Sequence, residues 1–489
     1  MNNIIKLQEY IPNSYFLEKP FSPIITSLCY DSREVEKDSV FFVFKGIHTN
    51  GYLFIDEAIN KGATTIVCDS IPHSLVEGIG YLIVENTRSS FAIVSSYLWD
   101  RADKELKIIG ISGTDGKSST ATYLYYFLKQ FNYKVGLIST VYEDDGTGLK
   151  ASTNRQSTPE ANVLHKIFRT CVNNNIEYLI LEATSHSLSS EMDRLNTLEF
   201  DLGIITTITS EHLELHKTID SYIDAKCNLI RKLKDRAYFI STLDNPHLKE
   251  CLQVAKNHPI FVLKRDLNYT IKQENEFSPI KIIMNNKSYI SNLLVDVFIT
   301  DALLAAKAAS ILTNIPLEII LNNLDKLETI KGRFNIIDNP FNFTAIVDFA
   351  HTGDALYHIV KHVKPKRGKL IALFGSGGER DICKRSQMGK IASSFCDIII
   401  ITEEDPRGES NEKISSDIKS GISGDCIVYD ISNRNEAINK AINIAKVGDV
   451  VLFLGKGHES SIQRKNEKIP WNEKEIVQKA IMEKVKNDR

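Results

Sequence analysis

The sequence predicts an α/β protein of three domains, and three observations predict it. The chain is 489 residues long, two series of buried-strand patterns alternate with helical ones, and a glycine-rich turn stands where the first series begins. A chain of this length exceeds what one hydrophobic core supports and splits into two to four units. The expected units are a small N-terminal α/β domain over 1–100, a central P-loop-type domain with a mostly parallel sheet over 101–332, and a C-terminal, Rossmann-like doubly wound domain over 333–489.

Short apolar runs at 40–44, 64–68 and 81–84, separated by Gly, Asp and Asn, define the first unit. From residue 106 the pattern becomes strand, glycine-rich turn and helix. Lys107–Ser112 is apolar and β-branched, and 118–130 sets Tyr123, Leu124, Phe127 and Leu128 on one helical face. Buried strands follow at Tyr178–Glu182 and 202–206, each ending in polar residues, where open parallel sheets take ligands. Helical periodicity returns at 303–312 and 317–327. A second strand series, Thr344–Asp348, 369–374, 397–402 and 449–454, alternates with helical stretches and makes the third unit.

With 43% apolar and 25% charged residues, burial can offset chain entropy without metals or disulfides. Lys plus Arg (59) nearly balance Asp plus Glu (62), a net charge of -3. No global field draws the chain to nucleic acid or to an anionic membrane, so neither is an expected partner. No apolar run nears the ~20 residues that span a bilayer, and the first residues lack the blocks of a secretory leader. A cytoplasmic location is expected, with eight scattered cysteines reduced and structural.

The run Ile109-Gly110-Ile111-Ser112-Gly113-Thr114-Asp115-Gly116-Lys117-Ser118-Ser119 follows a strand and opens a helix. Backbone N–H groups and the helix N-terminus then converge on one point, which suits phosphate. Lys117 would bridge the β- and γ-phosphates of ATP, Ser118 would offer a hydroxyl to Mg²⁺, and the glycines would admit the backbone closely. The spacing departs from the general P-loop, because Ile111 stands where its first glycine would. Glu182, closing a buried strand beside this loop, suits a Mg²⁺ ligand. His212 and His216 lie four apart, the spacing of one helical face. Without the HExxH order they read equally as solvated or core histidines.

In order and spacing, the phosphate loop and a series of shorter stretches resemble the Mur ligase family, and within it the members that add the third residue of the cell-wall peptide. These stretches are Asp31-Ser32-Arg33, Ser157-Thr158-Pro159, Ser185-His186, Glu211-His212-Leu213 with His216, Ala225-Lys226, Gly332-Arg333, Asp348-Phe349-Ala350-His351-Thr352, Gly377-Gly378-Glu379-Arg380-Asp381, Asp405-Pro406-Arg407 and Gly455-Lys456-Gly457-His458-Glu459. The resemblance covers nearly the whole chain.

It implies an ATP-dependent amide ligase of peptidoglycan synthesis acting as a monomer on small molecules. ATP would phosphorylate the D-glutamate side-chain carboxylate of UDP-N-acetylmuramoyl-L-Ala-D-Glu, a diamino acid would attack the acyl phosphate, and ADP and phosphate would leave. Two polyanions must meet, so cations belong at the γ-phosphate: Lys117, one Mg²⁺ on Ser118 and Glu182, and a second near His212. Lys226 matches a lysine that CO₂ converts to a metal-binding carbamate. Arg333, beside a hinge at Gly332, would reach the transferring phosphoryl group. Asp348 and His351 would lie near adenine and ribose, and Asp301 on the adenine side, with domain closure keeping water out.

The same resemblance assigns Tyr30 and Ser32 to the uridine of the nucleotide sugar and the loop 46–51 to the neighbourhood of its pyrophosphate, and Ser157, Thr158, Thr184 and Arg194 to the peptide. Arg380, Glu404, Asp405, Pro406, Arg407, Gly455 and Glu459 would hold the incoming amino acid. Members that add meso-diaminopimelate carry Asp-Asn-Pro-Arg, and lysine-adding members usually lose that arginine. Here Arg407 favours a second carboxylate while Asp405 favours a cationic terminus, and the balance tips to L-lysine or L-ornithine. Asp115, Ser118, Thr207 and Asp301 depart from the family's usual Asn, Thr, Asn and Asn. Two alternatives stand beside this reading: another ligase of the superfamily such as folylpolyglutamate synthetase, and a non-catalytic regulator that binds a nucleotide sugar.

Overall fold

The computed structural model of the protein describes residues 3–487 except 47–48, 155, 276 and 366. The fold is mixed α/β in three domains. The central sheet has eight strands, in the order Ile260–Leu263, Leu233–Thr242, Phe200–Ile205, Lys107–Ser112, Tyr178–Glu182, Val135–Ile138, Tyr142–Asp144 and Lys150–Ala151. The first six run parallel and the last two return antiparallel. Lys107–Ser112 lies inside the parallel part, with Ile108, Ile109 and Ile111 fully buried, as befits a strand covered on both faces.

The N-terminal sheet runs Tyr15–Glu18, Gly80–Ile83, Ala63–Cys68, Ser39–Phe42 and Leu28–Cys29, all parallel except the first. The C-terminal sheet runs Asn335–Ile337, Thr344–Asp348, Val450–Leu454, Leu370–Phe374, Ile398–Ile401 and Ile427–Asp430, with an antiparallel strand only at the Asn335–Ile337 edge. Its ligand-bearing strand ends therefore lie on one side, opposite the strands' amino ends.

Four expectations change. The Lys117–Gln130 helix is buried almost all round, from Ser118 through Tyr125 and at Phe127 and Leu128, because the alanine-rich Asp296–Thr313 helix packs across it. The helical stretch at 317–327 ends at Leu321 and resumes only as a turn at Leu324–Lys326, since the side chains of Asn322 and Asn323 favour turns over helix interiors. The helix expected to carry both histidines is the single turn Leu213–His216, and His212 stands outside it in the left-handed region at φ 57°. The segment 233–291 adds two parallel strands and an antiparallel sheet of Thr270–Lys272, Ile280–Met284 and Lys287–Ser291. Asn285 and Asn286, at φ 48° and 61°, make its tight hairpin turn.

All eight cysteines are free. Among the described residues, no helix is long and apolar enough to cross a membrane.

Candidate active site

The phosphate loop lies at the carboxyl end of the central sheet, between the Lys107–Ser112 strand and the Lys117–Gln130 helix. Gly113 has φ 142°, and a Cβ there would meet Thr206 Oγ1 at 1.9 Å. Gly116 has φ 85°, and a Cβ there would meet Asp301 Oδ1 at 2.5 Å. Both positions require glycine for the loop to keep this path. The Lys117 ammonium donates to the Thr114 carbonyl at 2.5 Å. The Thr114 hydroxyl donates to the Thr209 carbonyl and meets the Tyr222 hydroxyl, both at 3.0 Å.

Ser118 donates its hydroxyl to Glu182 at 3.0 Å, and Ser119 continues the buried first turn of the helix. Glu182 is fully buried and also accepts from the backbone and hydroxyl of Thr140. It makes no ion pair among the described residues. A buried carboxylate held by hydroxyls and an amide but by no cation is a fitting seat for a divalent ion. Among the described residues, no group of three or more His, Cys, Asp or Glu side chains is arranged to hold a metal ion by itself. Mg²⁺ here would draw its remaining ligands from nucleotide and water, as that ion usually does. Thr140 escaped sequence reading; its signal is its place just past the Val135–Ile138 strand.

Lys226 is buried behind the loop, donates to the Gly113 carbonyl at 2.5 Å, and lies 4.4 Å from the Tyr222 ring centre. Burial, and then the charge of Lys117, push its pKa well below that of an ordinary lysine. The neutral amine so favoured is the form that combines with CO₂, so the residue fits a carbamate.

Among the described residues, three pairs of side chains far apart in sequence join the central domain to the third. Thr352 donates to Asp115 at 3.0 Å, the His351 Nε2 faces Glu211 at 3.3 Å, and Arg380 pairs with Glu214 at 3.3 Å. Burial opposes ionisation of Glu211, yet the charges of His212 and His351 hold its carboxyl well below the usual range. His212 faces Glu211 at 3.6 Å and Glu214 at 3.4 Å. The guanidinium of Arg333 lies 4.5 Å from the Phe349 ring centre. Asp348 accepts from the backbone N–H groups of Phe334 and Ala350, so it braces the segment carrying Arg333. Burial raises its pKa, and raises that of Asp301 well above the carboxylate range. Asp301 stands under the loop against Gly116.

One cavity of about 1590 Å³ joins these parts. Its wall includes the loop from Thr114 to Ser119, Glu182, His212, Asp301, Arg333, Asp348 and His351. Tyr269, Ile271, Val297 and Phe298 add an apolar stretch near Asp301, drawn from segments with no common sequence pattern. The wall continues past Ser157, Thr158, Thr184 and Arg194 to Arg380, Asp405, Arg407 and Glu459. Gly113 and Lys226 lie just behind the wall, as do Glu404, Pro406 and Gly455. Tyr30 and Ser32 lie on the N-terminal domain outside it; the Ser32 hydroxyl donates to Glu57 at 2.8 Å. Within the 46–51 loop, Ile47 and His48 lie outside the described residues.

At the amino-acid end, Lys456 is buried and bridges Asp405 at 2.8 Å and Glu459 at 2.5 Å. Arg407 donates to the Gly378 carbonyl and approaches Asp405 at 4.0 Å. Glu404 Oε2 is buried without a hydrogen-bond partner among the described residues, facing Gly455.

Three family models match this chain in order. The Mur ligase family catalytic domain matches residues 24–99, the Mur ligase middle domain 111–300, and the Mur ligase glutamate ligase domain 332–457. The UDP-N-acetylmuramyl-tripeptide synthetase of Borreliella burgdorferi is 37% identical over 481 residues, covering 95% of this chain and 94% of that protein. The chain belongs to the Mur ligase family. As a Mur ligase it is an ATP-dependent amide-bond ligase. Another relative, the UDP-N-acetylmuramoyl-L-alanyl-D-glutamate--2,6-diaminopimelate ligase 1 of Clostridium acetobutylicum, is 35% identical over 94% of this chain and 95% of its own length. Among solved structures, a UDP-N-acetylmuramoyl-L-alanyl-D-glutamate--2,6-diaminopimelate ligase matches with a TM-score of 0.63 at 24% identity, covering 99% of this chain and 100% of that one. Mycobacterium tuberculosis folylpolyglutamate synthase matches with a TM-score of 0.61 at 14% identity, over 76% of this chain and 92% of its own. Both likenesses are of fold.

Proposed function

We propose that the protein joins a diamino acid to the D-glutamate of UDP-N-acetylmuramoyl-L-Ala-D-Glu through an acyl phosphate. Domains 1–100, 101–332 and 333–489 carry the nucleotide sugar, ATP and the incoming amino acid, in a monomer that works in the cytoplasm without nucleic acid or membrane. The observation that carries this reading is the continuity of one cavity, from the phosphate loop past Thr158 and Arg194 to Arg380 and Arg407. A nucleotide, a peptide carboxylate and an amine can meet there.

Lys117 and the loop amides hold the β- and γ-phosphates, and Arg333 adds charge from the third domain. The peptide carboxylate attacks the γ-phosphorus and ADP leaves; the amine then attacks the acyl carbon and phosphate leaves. Two Mg²⁺ ions, one on Ser118 and Glu182 and one near His212 and the carbamate of Lys226, would neutralise the converging anions. Thr158 and Arg194 orient the peptide, with Arg194 fixed by Glu160 at 2.6 Å.

The charges at the far end favour L-lysine or L-ornithine. Asp405 and Glu459, both bound to the buried Lys456, bring carboxylates to this end beside Arg407 and Arg380, and Asp405 in particular suits a cationic side-chain terminus. Purified protein given ATP and the UDP-dipeptide should release phosphate with lysine or ornithine. Release only with folates and glutamate would indicate the other ligase class, and no ADP with any acceptor would indicate a regulator.

A further inference from the structure

Arg88, in the first turn of the Thr87–Leu98 helix, is a half-buried cation with no counter-charge of its own. Its guanidinium lies 4.3 Å from the centre of the Phe44 ring and makes no hydrogen bond or ion pair among the described residues. Burial lowers its pKa, so the site holds this charge at a cost that a bound anion would relieve. Glu160, the carboxylate whose charge acts on Arg88, is already taken by Arg194 at 2.6 Å.

Two more donors near Arg88 are unused. The Nε of Arg194 and the Nε2 of His186 are buried without hydrogen-bond partners among the described residues, and Arg194 itself is 4% exposed. Burial first, and then the charges of Arg194 and Arg88, hold the His186 pKa down to about 4. The three groups therefore lie within electrostatic reach of one another. On the other side, Phe44 stacks on Tyr30 with ring centres 5.2 Å apart, and Tyr30 remains 37% exposed, leaving ring surface for a base.

We propose that Arg88, seated on Phe44 beside Tyr30, grips the diphosphate of the nucleotide-sugar substrate, with Arg194 and His186 completing the surroundings of that anion. This rests on the nucleotide-sugar reading above. A guanidinium resting over a ring keeps its N–H fork free for phosphate oxygens, which accept it in pairs, and a lysine offers only a point charge. Base, diphosphate and peptide then follow one line, from Tyr30 past Arg88 to Arg194 and Thr158.

Calorimetry of UDP and of uridine binding to the full chain tests the assignment, alongside KM for the nucleotide sugar and for ATP. Arg88→Ala should weaken UDP about 10- to 100-fold and raise the nucleotide-sugar KM similarly. Arg88→Lys should recover part of that, and uridine affinity, ATP KM and thermal midpoint should stay unchanged. Wild-type UDP affinity in Arg88→Ala would overturn the assignment, as would an equal loss for uridine and ATP, which marks a folding role. A wild-type chain that binds ATP but neither UDP nor the nucleotide sugar would overturn the functional reading itself, and the assignment with it.

Discussion

The hydroxyl of Thr352 donates to the carboxylate of Asp115 at 3.0 Å, tying the middle of the phosphate loop to the cap of a helix in the third domain. The same hydroxyl accepts from the Ala355 N–H, so one side chain caps the Gly353–His362 helix and holds the loop. The acceptor oxygen is what this contact needs, and asparagine also supplies one. Asp115→Asn should keep kcat and the KM for ATP within about twofold. Asp115→Ala and Thr352→Val should each lower kcat/KM for ATP by roughly tenfold to hundredfold, the loss of one hydrogen bond to a charged group. The double variant should lose little more than either single one.

His165 makes stability depend on pH. It is fully buried, with Nε2 3.1 Å from the Thr197 hydroxyl, and burial lowers its pKa to about 4. The unfolded chain takes up this proton near pH 6.5, before the folded one does. Stability is therefore whole above pH 6.5 and falls between pH 6.5 and 4, by about 1.4 kcal/mol per pH unit from this group. Urea unfolding at a series of pH values should show that slope, and His165→Gln should flatten it.

Lys226→Ala should abolish ligation while leaving ATP binding measurable, because the amine is buried behind the loop and not in its wall. Added short carboxylates should restore part of the rate by taking the place of a carbamate. Steady-state phosphate release reads both effects; a fully active variant would refute the carbamate role.

The loop glycines differ in kind from other glycines with positive φ. Gly113→Ala should remove ATP binding, because its methyl group would collide with Thr206. Gly148 has φ 116° but open space around it, so Gly148→Ala should cost only backbone strain of about 1–2 kcal/mol. Calorimetric ATP titration and thermal melts separate the two effects.

Strands Lys107–Ser112, Tyr178–Glu182 and Thr344–Asp348 were legible to the residue, because burial on both faces makes them continuous apolar runs bounded by polar ones. The antiparallel sheet between Thr270 and Ser291 was not, since its strands alternate buried and exposed positions too briefly to stand out, although Asn285-Asn286 marks its turn. The phosphate loop read clearly, being local. The contacts that join the domains did not: Asp115 and Thr352 are 237 positions apart, and no periodicity links two loops. The histidine spacing misled because the chain turns at His212 and the helix starts only at Leu213. The meeting of Glu404 with Gly455 needed three dimensions, since the strands that lead to them, Ile398–Ile401 and Val450–Leu454, are separated in the sheet by Leu370–Phe374.

The most direct measurement follows oxygen. UDP-N-acetylmuramoyl-L-Ala-D-Glu labelled with ¹⁸O in the D-glutamate side-chain carboxylate is incubated with the protein, ATP, Mg²⁺ and L-lysine or L-ornithine, and the released phosphate is weighed by mass spectrometry. Attack of that carboxylate on the γ-phosphorus predicts one ¹⁸O in each phosphate released, with the other kept in the new amide. Unlabelled phosphate accompanying amide formation would contradict the account.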